Sequence, residues 1–223
     1  ALWHNLTGFE WAAGVPGTIG GSVYGNAGCF GGEMKDVVES VSVFDSTNST
    51  NYQLPTTSCA FAYRESIFKK RKDWIILGAT LKLKRISDEE KKQKQADLRR
   101  IMRERAAEQA IGERTMGSTF KGIPLTKEVI ALLRSYDGRF SKAAQACLVF
   151  ESRRGMISAG FLVEQAGLKG KKIGGVSVSE KHANFLVNDG AATAEHVVML
   201  IAFIKEYVHR KFGIMLEEEI QYI

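Results

Sequence analysis

The sequence predicts an α+β chain, and three observations carry that reading. Strand-like segments and long polar loops fill the first third, and Asp88 to Ala110 follows with no Gly or Pro. The last part mixes helix-like and strand-like segments without regular βαβ alternation or an internal repeat. With 223 residues, 44% of them apolar, 25% charged and only 3 prolines, the chain has the composition of one large or two small globular domains.

The elements follow in order. Nine of the 22 glycines fall between Gly8 and Gly32, so unusual backbone conformations concentrate there. Val37 to Phe44 reads as a strand, Asp45 to Asn51 as a polar turn, and Trp74 to Leu83 as a second strand, with Ala79, Leu81 and Leu83 alternating with Thr80 and Lys82. Leu98, Ile101, Met102 and Ala106 give Asp88 to Ala110 helical spacing, which reads as a solvated connecting helix. Ser158 to Ala166 reads as a helix stopped by Gly167. Ile173 to Val178 and Ala183 to Val187 read as strands joined by a polar turn. Thr193 is placed to cap a helix whose apolar stripe is Val197, Leu200, Ile201, Ile204 and Val208, and Glu219 to Ile223 has strand character.

Charge and composition narrow the function classes. Net charge is +6, and Lys82 to Arg105 holds ten Lys/Arg against five Asp/Glu. Its charges are mixed in sign and lack interleaved aromatic residues, so no nucleic-acid partner is expected, although a protein binding nucleic acid through this segment is a rival reading. The longest apolar run, Val197 to Ile204, is far too short to span a membrane, and no signal-peptide pattern opens the chain; the expectation is a cytoplasmic protein without a membrane partner. Cys29, Cys59 and Cys147 are few, odd in number and far apart, as expected of reduced, mostly buried thiols, and no spacing points to a metal.

The candidate ligand-contacting segment is Gly14-Val15-Pro16-Gly17-Thr18-Ile19-Gly20-Gly21, followed by Asn26-Ala27-Gly28 and Gly31-Gly32. Backbone N–H groups there can approach a phosphate or a flavin ring without Cβ interference; tight structural turns are the alternative. A Rossmann fingerprint is excluded, since no strand precedes the segment and the G-x-G-x-x-G spacing is absent.

The order of motifs adds a resemblance. The stretch from Gly8-Phe9-Glu10-Trp11 through Gly25-Asn26-Ala27-Gly28 resembles the flavin-site segment of the UDP-N-acetylenolpyruvoylglucosamine reductase (MurB) family. Tyr63-Arg64-Glu65-Ser66-Ile67-Phe68, Gly117-Ser118-Thr119-Phe120-Lys121, and Gln165 to Gly170 follow in that family's order. So do Ile173-Gly174-Gly175, Ser179-Glu180-Lys181-His182-Ala183-Asn184-Phe185 and Leu216-Glu217-Glu218-Glu219-Ile220. The absence of a long tyrosine-bearing loop is similar to the family's type II branch.

The resemblance implies an enzyme of peptidoglycan precursor synthesis in which NADPH reduces FAD and reduced FAD reduces the enolpyruvyl ether of a UDP-sugar. It implies the second lobe of a two-lobed FAD-binding domain over 1–86, a charged helical connector over 87–110, and an α+β substrate-binding domain over 111–223. Residues of about 125–154 are an apparent insertion. By the same resemblance Gly14, Pro16, Gly17, Thr18, Gly20, Gly21, Asn26, Ala27 and Gly28 contact FAD. Ser118 is the proton donor, Arg64 the partner of the substrate carboxylate and Glu219 a carboxyl beside it; Lys121, Lys181, His182 and Asn184 bind substrate.

Read as residues alone, Ser118 is a loop or cap serine, Arg64 half of a surface ion pair and Glu219 part of an exposed acidic tail with Glu217 and Glu218, while Lys121 is equally a solvated lysine. His182 is equally a bridge between strand and loop. The family also has a β-α segment with a phosphate loop before the equivalent of Ala1, so the expectation is a chain without that lobe and with weakened FAD binding. A non-catalytic relative that does not bind FAD alone is the alternative. Arg114-Thr115-Met116 before Gly117, and Gly122-Ile123 before Pro124, depart from the family's pattern.

Overall fold

The computed structural model describes residues 1–108, 112–136 and 155–222. The chain divides into two compact units, Ala1–Ala107 and Glu108–Ile223.

The first unit opens with β1 (Leu6–Thr7) and a 3₁₀ turn, Glu10–Ala12, that buries Trp11. The glycine-rich stretch is not all loop: α1 (Ile19–Tyr24) begins behind Thr18, whose hydroxyl accepts the Gly21 N–H at 3.1 Å. β2 (Gly28–Cys29) and β3 (Gly32–Glu33) form a hairpin across Phe30 and Gly31, at φ 49° and 84°. Two central residues at positive φ are what a tight hairpin turn of the right twist requires. A Cβ on Gly32 would run into the Trp11 indole, so glycine is needed there for packing.

β4 (Val38–Asp45) is the middle strand of an antiparallel sheet of order β5-β4-β6, with β5 (Thr50–Pro55) and β6 (Trp74–Leu81) beside it. Val41 and Val43 alternate inward and pack with Val23, Met34 and Phe68. The expected turn at Asp45 to Asn51 is shorter than its polarity suggested, because Asp45 ends β4 and Thr50 starts β5. The expected strand to Leu83 stops at Leu81; β7 (Lys84–Arg85) is separate and pairs with β1. α2 (Asp88–Glu108) completes the region, while residues 109 and 110 of the expected helix lie outside the described residues. Its inward face is Ile101 and Arg105, whereas Met102 is exposed, so the helix groups with the first unit and is not solvated all round.

In the second unit, β8 (Thr115–Ser118), β9 (Ile123–Pro124) and α3 (Lys127–Tyr136) come first. α3 buries Leu133 and stacks Tyr136 edge-on against Phe212 at 4.9 Å, so the start of the apparent insertion is core helix; residues 137–154, including Cys147, lie outside the described residues. β10 (Met156–Ile157) pairs with β9, and α4 (Ala159–Gln165) ends before Gly167 at φ 79°. The single strand expected over Ile173 to Val178 is two, β11 (Lys172–Ile173) and β12 (Val176–Val178), hinged at Gly174 and Gly175. With β13 (Phe185–Asn188) they form an antiparallel sheet of order β11-β12-β13-β8.

α5 (Ala194–Phe212) covers this sheet with Leu200, Ile201, Ile204, Val208 and Phe212 buried. Thr193 caps it as expected, its hydroxyl accepting the His196 N–H at 3.2 Å. Gly213 ends it at φ 70°. Glu219 to Ile223 is not a strand: pairing is limited to an antiparallel bridge between Glu218 and Phe120, and Ile223 lies outside the described residues.

Candidate functional site

Two clusters contain the sequence-derived candidates, one in each unit. In the first unit Gly14 and Gly17 adopt φ 74° and 104°, conformations that favour glycine. Gly17 has open space where a Cβ would stand, and a Cβ on Gly20 or Gly21 would meet its nearest neighbours at 3.7 and 3.5 Å, ordinary contact. Protein packing therefore does not require glycine at 20 and 21, where it costs a helix about 1 kcal/mol per residue relative to alanine. These positions form a cradle that side chains would fill, and they suit a ligand approaching the backbone closely.

Asn26 is buried at φ 43° with its amide spent inside the protein. It donates to the Glu33 carboxylate at 2.5 Å and the Ala62 carbonyl at 2.9 Å, and accepts the Lys35 N–H at 2.9 Å. The Met34 N–H donates to the Ala27 carbonyl at 2.9 Å. Arg64, at φ 56°, reaches the same segment: its guanidinium donates to the Gly28 carbonyl at 2.7 Å and lies over the Tyr63 ring at 5.0 Å. Lys69 donates to the Arg64 carbonyl at 2.6 Å, and Ser66 to the Tyr24 carbonyl at 2.6 Å, fixing the loop that presents it. The structure thus brings Arg64 to the glycine-rich segment, a contact that separation by 36 residues hides in the sequence.

In the second unit, Ser118 ends β8 opposite Phe185 of β13. Beyond it, the Thr119 N–H donates to the Asn184 carbonyl at 2.7 Å. The Asn184 side chain takes the Phe120 N–H at 3.0 Å and gives its own N–H to the Phe120 carbonyl at 2.8 Å. On the other flank the Glu219 N–H donates to the Thr119 carbonyl, and the Lys121 N–H to the Glu217 carbonyl, both at 2.8 Å. Residues 118–121 are therefore held between 182–185 and 217–219, which collects Ser118, Lys121, His182, Asn184 and Glu219 around one segment.

The three glutamates near the end are distinguished by their partners. Glu217 pairs with the Lys121 ammonium at 2.5 Å. Glu218 accepts from Lys205 and from the Tyr222 hydroxyl, each at 2.7 Å. The Lys205 bond holds Glu218 below the ordinary carboxylate range against the opposing effect of burial, while burial and the carboxylate push Tyr222 up to about 12. The backbones of all three border residues 119–121, and Glu219 is the one bonded to Thr119, next to Ser118. Lys181 lies 3.5 Å from Glu113. His182 accepts the Asn184 N–H on Nδ1 at 3.1 Å, which assigns the ring proton to Nε2, and its ring meets Phe185 edge-on. Asn184 is buried, and its amide shapes the Ser118 segment instead of facing solvent. Among the described residues no three His, Cys, Asp or Glu side chains gather as a metal site.

Comparison with known proteins points to one family. Residues 109–223 match the family model described as UDP-N-acetylenolpyruvoylglucosamine reductase, C-terminal domain. The chain is 40% identical over 223 residues to UDP-N-acetylenolpyruvoylglucosamine reductase of Caldanaerobacter subterraneus subsp. tengcongensis, covering 100% of this chain and 62% of that protein. It is 38% identical over 216 residues to the reductase of Clostridioides difficile, covering 97% and 59% respectively. A crystal structure of UDP-N-acetylenolpyruvylglucosamine reductase (MurB) from Thermus caldophilus superposes with a TM-score of 0.71 at 28% identity, over 99% of this chain and 66% of that one. The chain thus spans about three fifths of the length of the curated relatives it matches.

Proposed function

Because the chain belongs to the UDP-N-acetylenolpyruvoylglucosamine reductase family, we propose that its residues serve the NADPH-driven, FAD-dependent reduction of UDP-N-acetylenolpyruvoylglucosamine to UDP-N-acetylmuramate, a cytoplasmic step of peptidoglycan precursor synthesis. The observation that carries this reading is the gathering of Ser118, Lys121, His182 and Glu219 around one strand extension. FAD, when bound, supplies to the terminal vinyl carbon the hydride it has taken from NADPH.

The chain's own groups deal with what that addition leaves behind. Electron density builds on the adjacent carbon and spreads into the substrate carboxylate, where the planar guanidinium of Arg64 offers two parallel donors. The Ser118 hydroxyl gives its proton to that carbon, a transfer a weak acid achieves only toward a strongly basic centre within hydrogen-bond reach. Glu219 sits beside the same carboxylate, and Lys121, Lys181 and His182 attract the diphosphate end of the substrate. Gly14, Pro16, Gly17, Thr18, Gly20, Gly21 and the backbone of Asn26, Ala27 and Gly28 hold the flavin. In this reading Asn184 acts through the Phe120 backbone, as a positioning residue for Ser118.

The departures from the family's pattern on both sides of Ser118, Arg114-Thr115-Met116 and Gly122-Ile123, favour one second reading, a non-catalytic relative. Two proteins separate them: the 223-residue chain, and the same chain extended at its N-terminus to the length of its relatives. Stopped-flow flavin absorbance on Ser118→Ala in the form that binds FAD is expected to show normal reduction by NADPH and reoxidation by the enolpyruvyl substrate slowed by roughly 10² to 10⁴. Unimpaired reoxidation removes Ser118 from its role, and absence of flavin binding by either form favours the non-catalytic reading.

A further inference from the structure

We propose that Arg105, on the inward face of α2, is a positioning residue that holds the glycine-rich segment and the neighbouring hairpin in the conformation that receives a ligand. Arg105 is only 5% exposed, an unusual place for a guanidinium in a helix whose other charges are largely solvated. It donates through Nε to the Ala13 carbonyl at 2.9 Å and through Nη2 to the Trp11 carbonyl at 3.4 Å and the Cys29 sulfur at 3.0 Å. Its guanidinium also lies over the Phe30 ring at 5.2 Å, and the Cys29 thiol donates back to the Trp11 carbonyl at 3.0 Å. One planar fork therefore ties α2 to residues 11–13 and to the tip of the β2–β3 hairpin. Its Cδ stands 3.1 Å from where a Cβ of Gly14 would be, a close approach at a position whose φ of 74° already favours glycine.

Residues 11–17 carry few regular hydrogen bonds of their own and include two glycines, Gly14 and Gly17. Such a backbone has many accessible conformations, and a ligand must otherwise meet the cost of ordering it. A buried guanidinium with carbonyl, sulfur and aromatic partners on two segments removes that freedom beforehand. Lysine cannot replace it, because a single ammonium cannot reach all of these partners in one plane.

The role of ligand receiver rests on the flavin reading above, and the test separates the two. Hydrogen exchange by mass spectrometry compares the 223-residue chain with Arg105→Lys and Arg105→Gln. The expected result is at least tenfold faster exchange of peptides covering 11–15 and 28–33 in both variants, with β4 and α5 unchanged. Faster exchange across β4 and β6 as well would make Arg105 an ordinary core residue, and unchanged exchange at 11–15 would remove the clamp; either overturns the proposal. In whichever protein binds FAD, flavin titration should show at least tenfold weaker binding in Arg105→Lys, and equal affinity would overturn the positioning role. If neither length binds FAD, the flavin reading fails while the exchange result still decides whether Arg105 holds the segment.

Discussion

Replacing Asn184 by alanine removes the clamp on the Ser118 segment, and its cost can be worked from the structure. Two side-chain hydrogen bonds to Phe120, at 3.0 and 2.8 Å, disappear. Phe120 is 1% exposed, so its N–H is left without water to replace the lost acceptor. A neutral hydrogen bond contributes about 0.5 to 1.5 kcal/mol net, and an unsatisfied buried group costs about 1 to 3 kcal/mol. The expected loss is therefore about 2 to 6 kcal/mol in the second unit. With a urea m-value of about 1 to 3 kcal/mol/M, the midpoint should fall by roughly 1 M or more. The three tryptophans, Trp3, Trp11 and Trp74, all lie in the first unit, so their fluorescence is an internal control. Loss of α5 helicity, followed by circular dichroism, should move to lower urea while the fluorescence transition stays in place. A loss below about 1 kcal/mol would refute the reasoning, since it would mean that Phe120 finds other partners at no cost.

Three further outcomes follow from the geometry. Thr119 is fully buried and its hydroxyl has no hydrogen-bond partner among the described residues, so Thr119→Val should stabilise the second unit by about 1 kcal/mol in the same urea experiment; destabilisation would show that the hydroxyl is paired. Asp45 is pushed up by burial but held below its ordinary range by the Asn48 N–H, the Trp74 indole and the Thr47 N–H, and the Arg71 guanidinium lowers Asp73. A depressed folded value contributes stability that is present above about pH 4 and lost as pH falls through it, so Asp45→Asn should weaken the first unit at neutral pH and flatten its decline in acid. Arg64→Lys, in the form that binds FAD, should slow sugar reduction much more than NADPH oxidation with an artificial acceptor; equal losses would assign the arginine to flavin or fold.

Much of the architecture was legible because burial and hydrogen bonding here follow local pattern. The stripe from Val197 to Val208 and the cap at Thr193 mark α5 directly, and both are as the periodicity requires. β5 was hidden because Thr50 to Pro55 is polar and mostly exposed, a strand held by pairing with β4 instead of by its own burial. α1 was hidden by its glycines, which depress helix propensity although Thr18 offered a capping signal. The site residues were legible as ordered motifs, but not their division of labour. Only the structure shows the Asn184 amide committed to Phe120, and the neighbouring carboxylates of Glu217 and Glu218 taking different lysines, Lys121 and Lys205. Arg105 was missed because a run of charges reads as solvated; its position four residues after Ile101, on the same helix face, was the available signal.

The proposed role of Ser118 is delivery of a proton to the carbon next to the one that receives hydride. It is tested most directly by running the reaction in D₂O with the FAD-binding form and locating deuterium in the UDP-N-acetylmuramate produced. Solvent deuterium should appear at the lactyl carbon bearing the ether oxygen, in one stereochemical sense, and Ser118→Ala should form that product far more slowly. Deuterium in both stereochemical senses at that carbon, or the same rate from the alanine variant, would contradict the account.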